Sequence, residues 1–288
     1  MAAYGDSFGT ALKWGYLGMP RAIRTILAVN VGIYFLQTLI TVFGGERIVV
    51  AAINTFGFIP DWSIVLIQPW RLMTYMFLHG SVLHVAFNML WLWWMGRPVE
   101  EQLGSRNFLV IYLGSGIGGA LINLVLSPLF NVAVTIGASG AVFGMMVAFA
   151  MLFPTVPIML LFFPPIEARF LVAGLIAIDL LFISSADNVA RIVHLGGAFW
   201  GYILLKLYFR GYHYDLWFEM IKQKFKTKRA PRTKSAGKSR MEKITEAEIV
   251  EEYDRDEMDR ILDKISKSGY DGLTTEEKRL LFELSRKN

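Results

Sequence analysis

Apolar residues run along this chain in stretches too long for the core of an ordinary soluble domain, with the charges gathered between them. Thr25–Gly44 holds no Asp, Glu, Lys or Arg over 20 residues, and Asn107–Ile166 holds none over 60. Leu72–Gly96 and Ile192–Leu205 are equally free of these charges, and Phe170–Ala186 carries only Asp179. A helix crossing a bilayer needs about 20 mostly apolar residues. The longest run therefore has room for two spans and a re-entrant or interfacial piece, punctuated by Pro128 with Asn131 and by Pro154 with Pro157. The pattern predicts an all-α polytopic membrane protein with six helices, at about 22–43, 82–97, 107–127, 139–153, 168–184 and 192–210. The 38 residues from Gly44 to Ser81 are too long for a plain turn. Their aromatic content, with Trp70-Arg71 suited to the headgroup region, predicts a loop partly embedded in the outer interface.

Charge then sets the expected orientation. With the N-terminus inside, Lys13, Arg21, Arg24, Arg97, Arg106, Arg169, Lys206 and Arg210 lie on the cytoplasmic side, and only Arg47, Arg71 and Arg191 lie outside. Both termini are therefore expected in the cytoplasm. The first 20 residues lack a signal-peptide pattern, so the first span is expected to act as its own insertion signal. The chain has no cysteine, which excludes disulfides and thiolate sites.

Four segments are expected: a cytoplasmic N-terminal stretch (1–21), a six-helix membrane domain (22–210), a basic juxtamembrane linker (211–240) and a small helical extension (241–288). Lys222–Arg240 has nine Lys or Arg and no acid. Such a segment is drawn to anionic lipid, or else serves as a solvated linker that enforces topology. Met241–Asn288 has 14 acidic and 9 basic residues. Ile244, Ile249, Met258, Ile261, Leu262 and Ile265 suggest an amphipathic helix. Thr274-x-x-Glu277 has the spacing of a capping box that would start a second helix, carrying Leu280, Leu281 and Leu284. This extension suits contact with a protein partner; no nucleic-acid partner is expected.

The candidate chemistry lies in the membrane domain. Gly137-Ala138-Ser139-Gly140 and His194-Leu195-Gly196-Gly197 each put a reactive side chain at the start of an apolar run. Spans two, four and six all run from outside to inside, so His84, Ser139 and His194 fall at similar depth toward the outer leaflet. Asn88 follows His84 by one helical turn, on the same face. Gly140-x-x-x-Gly144 and Gly197-x-x-x-Gly201 are small-residue patterns that let membrane helices approach closely. A nucleophile and its base need that approach. Span four, about 15 residues, is too short to cross roughly 30 Å of hydrocarbon, leaving room above it for water.

The chemistry assigns Ser139 as nucleophile and His194 as general base. The Ser139 N–H, His84 and Asn88 are the candidate oxyanion donors. No acidic residue is expected at this level in a way that would orient His194, so a dyad held by packing is expected. Asp179 has two open readings, a hydrogen bond at the cavity edge or a position facing the outer loop. Each residue also has a plain structural reading: Ser139 as a helix cap, His84 and Asn88 as interhelical hydrogen bonds, the glycines as packing alone. Their conjunction outweighs these, because intramembrane polar groups are costly.

With these residues in view, residues 22–210 resemble the rhomboid family of intramembrane serine proteases, of bacterial type. The resemblance rests on Gly-Ala-Ser-Gly at Ser139, the histidine-glycine element at His194, and His79-x-x-x-x-His84-x-x-x-Asn88. Trp70-Arg71 and Glu100-x-x-x-Gly104 also fit. It implies a six-helix bundle with a serine–histidine dyad and no metal or other cofactor. It also implies transmembrane protein substrates, cut near the outer face after a small residue, and residence in the inner membrane. Substrate entry is implied past span five, with Ser184–Val189 as a cap, and His79, Arg71 and Glu100 as structural hydrogen-bonding residues. Phe143 departs from the tyrosine of many relatives, keeping a face to stack on the histidine without the hydroxyl. The competing reading is a catalytically weak or inactive rhomboid-like protein that binds transmembrane helices. The chain has neither His-Glu-x-x-His for zinc nor Gly-x-Gly-Asp for an aspartyl pair. A transporter is disfavoured because the polar set is confined to one leaflet.

Overall fold

The computed structural model describes residues 17–129, 133–160, 164–183 and 188–215, and in the tail 260, 261, 263–265, 273, 274 and 277. The chain forms two compact units, Met1–Lys224 and Phe225–Asn288. In the first, α1 (Arg21–Gly44) is followed by three short helices, α2 (Glu46–Phe56), α3 (Trp62–Ile67) and α4 (Arg71–Thr74). The segment expected as an interfacial loop is thus largely helical. A 3-10 turn, Tyr75–Phe77, leads to α5 (Val82–Trp91), which passes through a π turn at Leu92–Gly96 into α6 (Arg97–Leu103). This rod runs past the expected end at residue 97, with Pro98 near the start of α6, where a helix tolerates proline. Then come α7 (Ser105–Leu126), α8 (Ser139–Leu152), a two-stranded hairpin of β1 (Pro157–Ile158) and β2 (Ile166–Glu167), α9 (Ala168–Leu181) and α10 (Asn188–Phe209).

Three described helical segments, Arg21–Gly44, Ser105–Leu129 and Arg191–Phe209, are long and apolar enough to cross a bilayer. Arg71–Phe77 with Val82–Leu103, bent by 100°, makes a fourth if counted as one span. Phe35, Val42 and Phe43 on α1 are exposed, a face that suits hydrocarbon. α8 has 14 residues, about 21 Å of rise, and is sheathed by its neighbours: Ala141, Met145 and Ala148 are fully buried.

Glycine sets how closely α8 and α10 meet. A Cβ on Gly197 would lie 2.0 Å from the Gly140 carbonyl oxygen, and one on Gly201 2.6 Å from the Gly144 Cα. The backbones therefore touch along the two predicted glycine pairs, and dispersion between main chains replaces side-chain interdigitation. α1 is closed at its start from a distance. Pro20 offers no side-chain cap, and the buried Glu100 carboxylate of α6 instead accepts from the N–H groups of Ala22 and Ile23, both at 2.8 Å. An anion at a helix N-terminus is stabilised by the free N–H groups and the helix dipole. Asn107 on α7 anchors the chain after α10, its Oδ1 accepting from the N–H groups of Tyr214 and Asp215.

In the second unit, Thr274 and Glu277 exchange the reciprocal bonds of a capping box: Thr274 N–H to the Glu277 carboxylate at 2.7 Å, and Glu277 N–H to the Thr274 hydroxyl at 3.3 Å. Lys264 pairs with the same carboxylate at 2.7 Å. The expected basic segment 222–240, the cap residues 184–187 and most of the expected tail helices lie outside the described residues.

Candidate active site

The turn before Ser139 is fixed by the first loop. Arg71 is buried, and its guanidinium donates to the carbonyls of Gly57, at 2.7 Å, and of Asn54 and to the Gln68 side chain. Trp70 Nε1 donates to the Thr55 carbonyl. These bonds hold the main chain at Phe58, which exchanges two backbone bonds with Thr135, at 2.9 and 2.8 Å. Gly137 N–H then donates to the Tyr75 carbonyl at 2.9 Å, and the Tyr75 hydroxyl to Gly116 on α7. Gly137 sits at φ +120, a conformation L side chains rarely adopt, and a Cβ there would lie 2.6 Å from His84 Nε2. Glycine is required twice over at this position. Ser139 follows as the first residue of α8, where no side chain caps the helix and the first N–H groups lack helical partners.

His194 comes from the second turn of α10. Its Nε2 lies 2.7 Å from Ser139 Oγ, within the reach of a nucleophile–base pair. The Phe143 ring stacks on the imidazole, with centroids 4.5 Å apart and planes within 8°. Phe143 and Ser139 lie one turn apart on α8, so one helix supplies both the hydroxyl and the surface that orients the ring.

His84 and Asn88 stand on α5 across the cavity. Ser81 caps that helix by accepting from His84 N–H. Gly80 N–H donates to His84 Nδ1 at 3.4 Å, and Asn88 Nδ2 donates to the His84 carbonyl at 2.9 Å. The buried His79 packs edge-on against His84, and its main chain exchanges hydrogen bonds with the Gln37 side chain. Ser139, His194, His84 and Asn88 together line one cavity of about 420 Å³, whose walls are otherwise mainly apolar, among them Phe87, Trp91, Val142 and Leu175. Gly140 and Gly197 are the contact that brings α8 and α10 together. Arg71, Trp70 and Glu100 do not line the cavity; they brace the first loop and cap α1.

One expectation is corrected. An acid does reach His194: Asp179 Oδ2, buried on α9, lies 2.9 Å from His194 Nδ1, and Oδ1 lies 3.1 Å from an Arg191 guanidinium nitrogen. The reading by depth missed it because depth does not specify how α9 is rotated about its axis. A signal was present nonetheless. A lone acid in an apolar helix needs a partner, and Arg191 precedes His194 by three residues, on the same face. Among the described residues no cluster of His, Cys, Asp and Glu has metal-holding geometry.

Comparison with known proteins bears on the same segment. The Rhomboid domain family matches residues 67–211, and a family of unknown function, DUF6576, matches residues 251–287. The chain is similar to the rhomboid protease GluP of Bacillus subtilis (strain 168), with 32% identity over 64% of this chain and 34% of that protein. It is similar to the mitochondrial rhomboid protein 1 of Saccharomyces cerevisiae, with 40% identity over 31% of this chain and 26% of that protein. The rhomboid protease GlpG of Serratia proteamaculans is 38% identical over 30% of each chain. The matches thus span about a third or less of these relatives' lengths.

Proposed function

This chain is an integral membrane protein of the rhomboid family, and on that premise we propose that it is a serine endopeptidase that cuts transmembrane proteins within the bilayer. The observation that carries the reading is the 2.7 Å contact between Ser139 Oγ and His194 Nε2 at the wall of a cavity. Ser139 Oγ attacks the scissile carbonyl carbon as its proton passes to His194 Nε2. The oxyanion accepts from the Ser139 N–H, at the open start of α8, and from His84 and Asn88. Because His84 Nδ1 accepts from Gly80, the proton of its neutral ring is on Nε2, where it is available to donate. Asn88 uses one amide hydrogen on the His84 carbonyl and keeps another for substrate. When the tetrahedral intermediate collapses, the C–N bond breaks and Nε2 returns its proton to the leaving amine. Water, activated by the same imidazole, then releases the acyl group from Ser139.

In this reading residues 22–210 form a six-span protease domain with both termini in the cytoplasm and the cavity toward the outer face. The cut follows a small residue, entry is past α9, and the membrane is the bacterial inner membrane. Residues 222–240 meet anionic lipid, and 241–288 serve a protein partner. A fluorophosphonate probe applied to the full chain in lipid tests the active-site assignment. Probe on Ser139 that vanishes in Ser139→Ala and falls roughly 10²-fold or more in His194→Ala is expected. Labelling that is indifferent to His194 overturns it.

A further inference from the structure

Asp179 has no part in a two-residue mechanism, yet the structure gives its carboxylate two partners inside an apolar helix. Oδ2 meets His194 Nδ1 at 2.9 Å and Oδ1 meets Arg191 at 3.1 Å. An apolar environment makes an unpartnered carboxylate costly, and here the partner is the base itself. We propose that Asp179 is a positioning residue completing an Asp179–His194–Ser139 array, with Arg191 holding the carboxylate in place. The proposal rests on the protease reading given above.

The chemistry follows from the two ring nitrogens. An ionised carboxylate only accepts, so Nδ1 must carry a proton to bond Oδ2. A neutral imidazole protonated on Nδ1 has its lone pair on Nε2, the atom facing Ser139 Oγ at 2.7 Å. Asp179 therefore selects the tautomer that can take the serine proton. It also stabilises the imidazolium that forms when Nε2 accepts that proton, and takes no proton itself. Phe143 fixes the ring plane by stacking, and the carboxylate fixes rotation within that plane. Arg191, one turn before His194 on α10, keeps Oδ1 occupied, which leaves Oδ2 for the histidine.

Arg191 also determines what the closest substitution does. In Asp179→Asn the guanidinium has only donors, so the amide oxygen turns toward Arg191 and the NH₂ group toward Nδ1. His194 must then accept at Nδ1 and carry its proton on Nε2, the wrong tautomer for a base. Removing the guanidinium as well lets the amide turn over and restores an acceptor to Nδ1.

The test combines kinetics and ¹⁵N NMR of histidine-labelled full chain in lipid, with a single-span peptide substrate. His194 resonances are identified by their loss in His194→Ala. The expected result is a Nδ1-protonated neutral ring in the unaltered chain and a Nε2-protonated ring in Asp179→Asn. That variant loses kcat by roughly 10²- to 10⁴-fold with KM within about twofold. Arg191→Leu added to Asp179→Asn recovers about tenfold or more. A Nε2-protonated ring in the unaltered chain, or full kcat in Asp179→Asn, overturns the proposal while leaving a dyad protease intact. Cleavage that survives Ser139→Ala or His194→Ala overturns the protease reading instead, and the tautomer measurement still decides the role of Asp179.

Discussion

A single methyl group on Gly197 should disable the site from outside the cavity. In Gly197→Ala the new Cβ falls 2.0 Å from the Gly140 carbonyl oxygen and 2.6 Å from its carbon. Both neighbours are main chain, so no side chain rotates away to make room. Restoring ordinary contact, which begins at 3.4 Å, moves α10 from α8 by about 1.4 Å. Gly140 is adjacent to Ser139, and Gly197 is one turn below His194. That shift takes the 2.7 Å Ser139–His194 contact to about 4 Å, beyond hydrogen-bond reach. A misplacement of about 1 Å costs roughly 10²-fold in rate, and overpacking of this kind costs about 1–3 kcal/mol of stability. Steady-state cleavage of a single-span peptide in lipid, with a thermal melt of the same sample, measures both. The expected outcome is a kcat fall of roughly 10²-fold or more at near-constant KM. Gly174→Ala on α9, where a Cβ meets nothing within 4 Å, is the control and should keep full activity. Full activity in Gly197→Ala would refute the claim that this backbone contact sets the geometry of the site.

Other substitutions probe separate parts of the account. Glu100→Gln leaves one of the two α1 N–H groups without its carboxylate oxygen, and should cost about 1–3 kcal/mol in an unfolding titration; an unchanged midpoint rejects that capping role. Phe143→Ala removes the ring stacked on His194, a contact of about 0.5–1.5 kcal/mol; kcat should fall about two- to tenfold and recover in Phe143→Tyr. In the tail, the hydrogen bond from Lys264, with further help from the Thr274 N–H, pulls the Glu277 carboxyl from 4.5 down to about 2. Its contribution to stability is therefore complete above pH 4.5 and is lost as pH falls toward 2; a ¹³C titration of Glu277 should show this midpoint, and Lys264→Ala should raise it.

The helices long and apolar enough to cross a bilayer, Arg21–Gly44, Ser105–Leu129 and Arg191–Phe209, were legible because charge-free runs mark them directly. The α8–α10 contact was legible as well, since two glycine pairs at four-residue spacing leave few other ways for those helices to meet. Ser139 and His194 could be paired because both lie in the first two turns of helices running in the same direction, which gives them a similar depth. Depth is one coordinate only. Asp179 escaped because its approach to His194 depends on the rotation of α9, which an almost wholly apolar helix does not reveal. A hydrogen-bonding role for Glu100 is legible in the sequence, but its partners, two N–H groups 78 and 77 residues earlier, follow from packing and not from spacing. The helical content of the segment after α1 was hidden by its many aromatic residues, which suit an interfacial loop equally well.

The most direct test of the central claim is cleavage of a model single-span substrate by the purified full chain in liposomes, beside Ser139→Ala and His194→Ala. The account predicts one cut within or at the edge of the substrate's span, absent in both variants. Cutting that persists in either variant, or no cutting by the unaltered chain on a panel of substrates that it nonetheless binds, would contradict it.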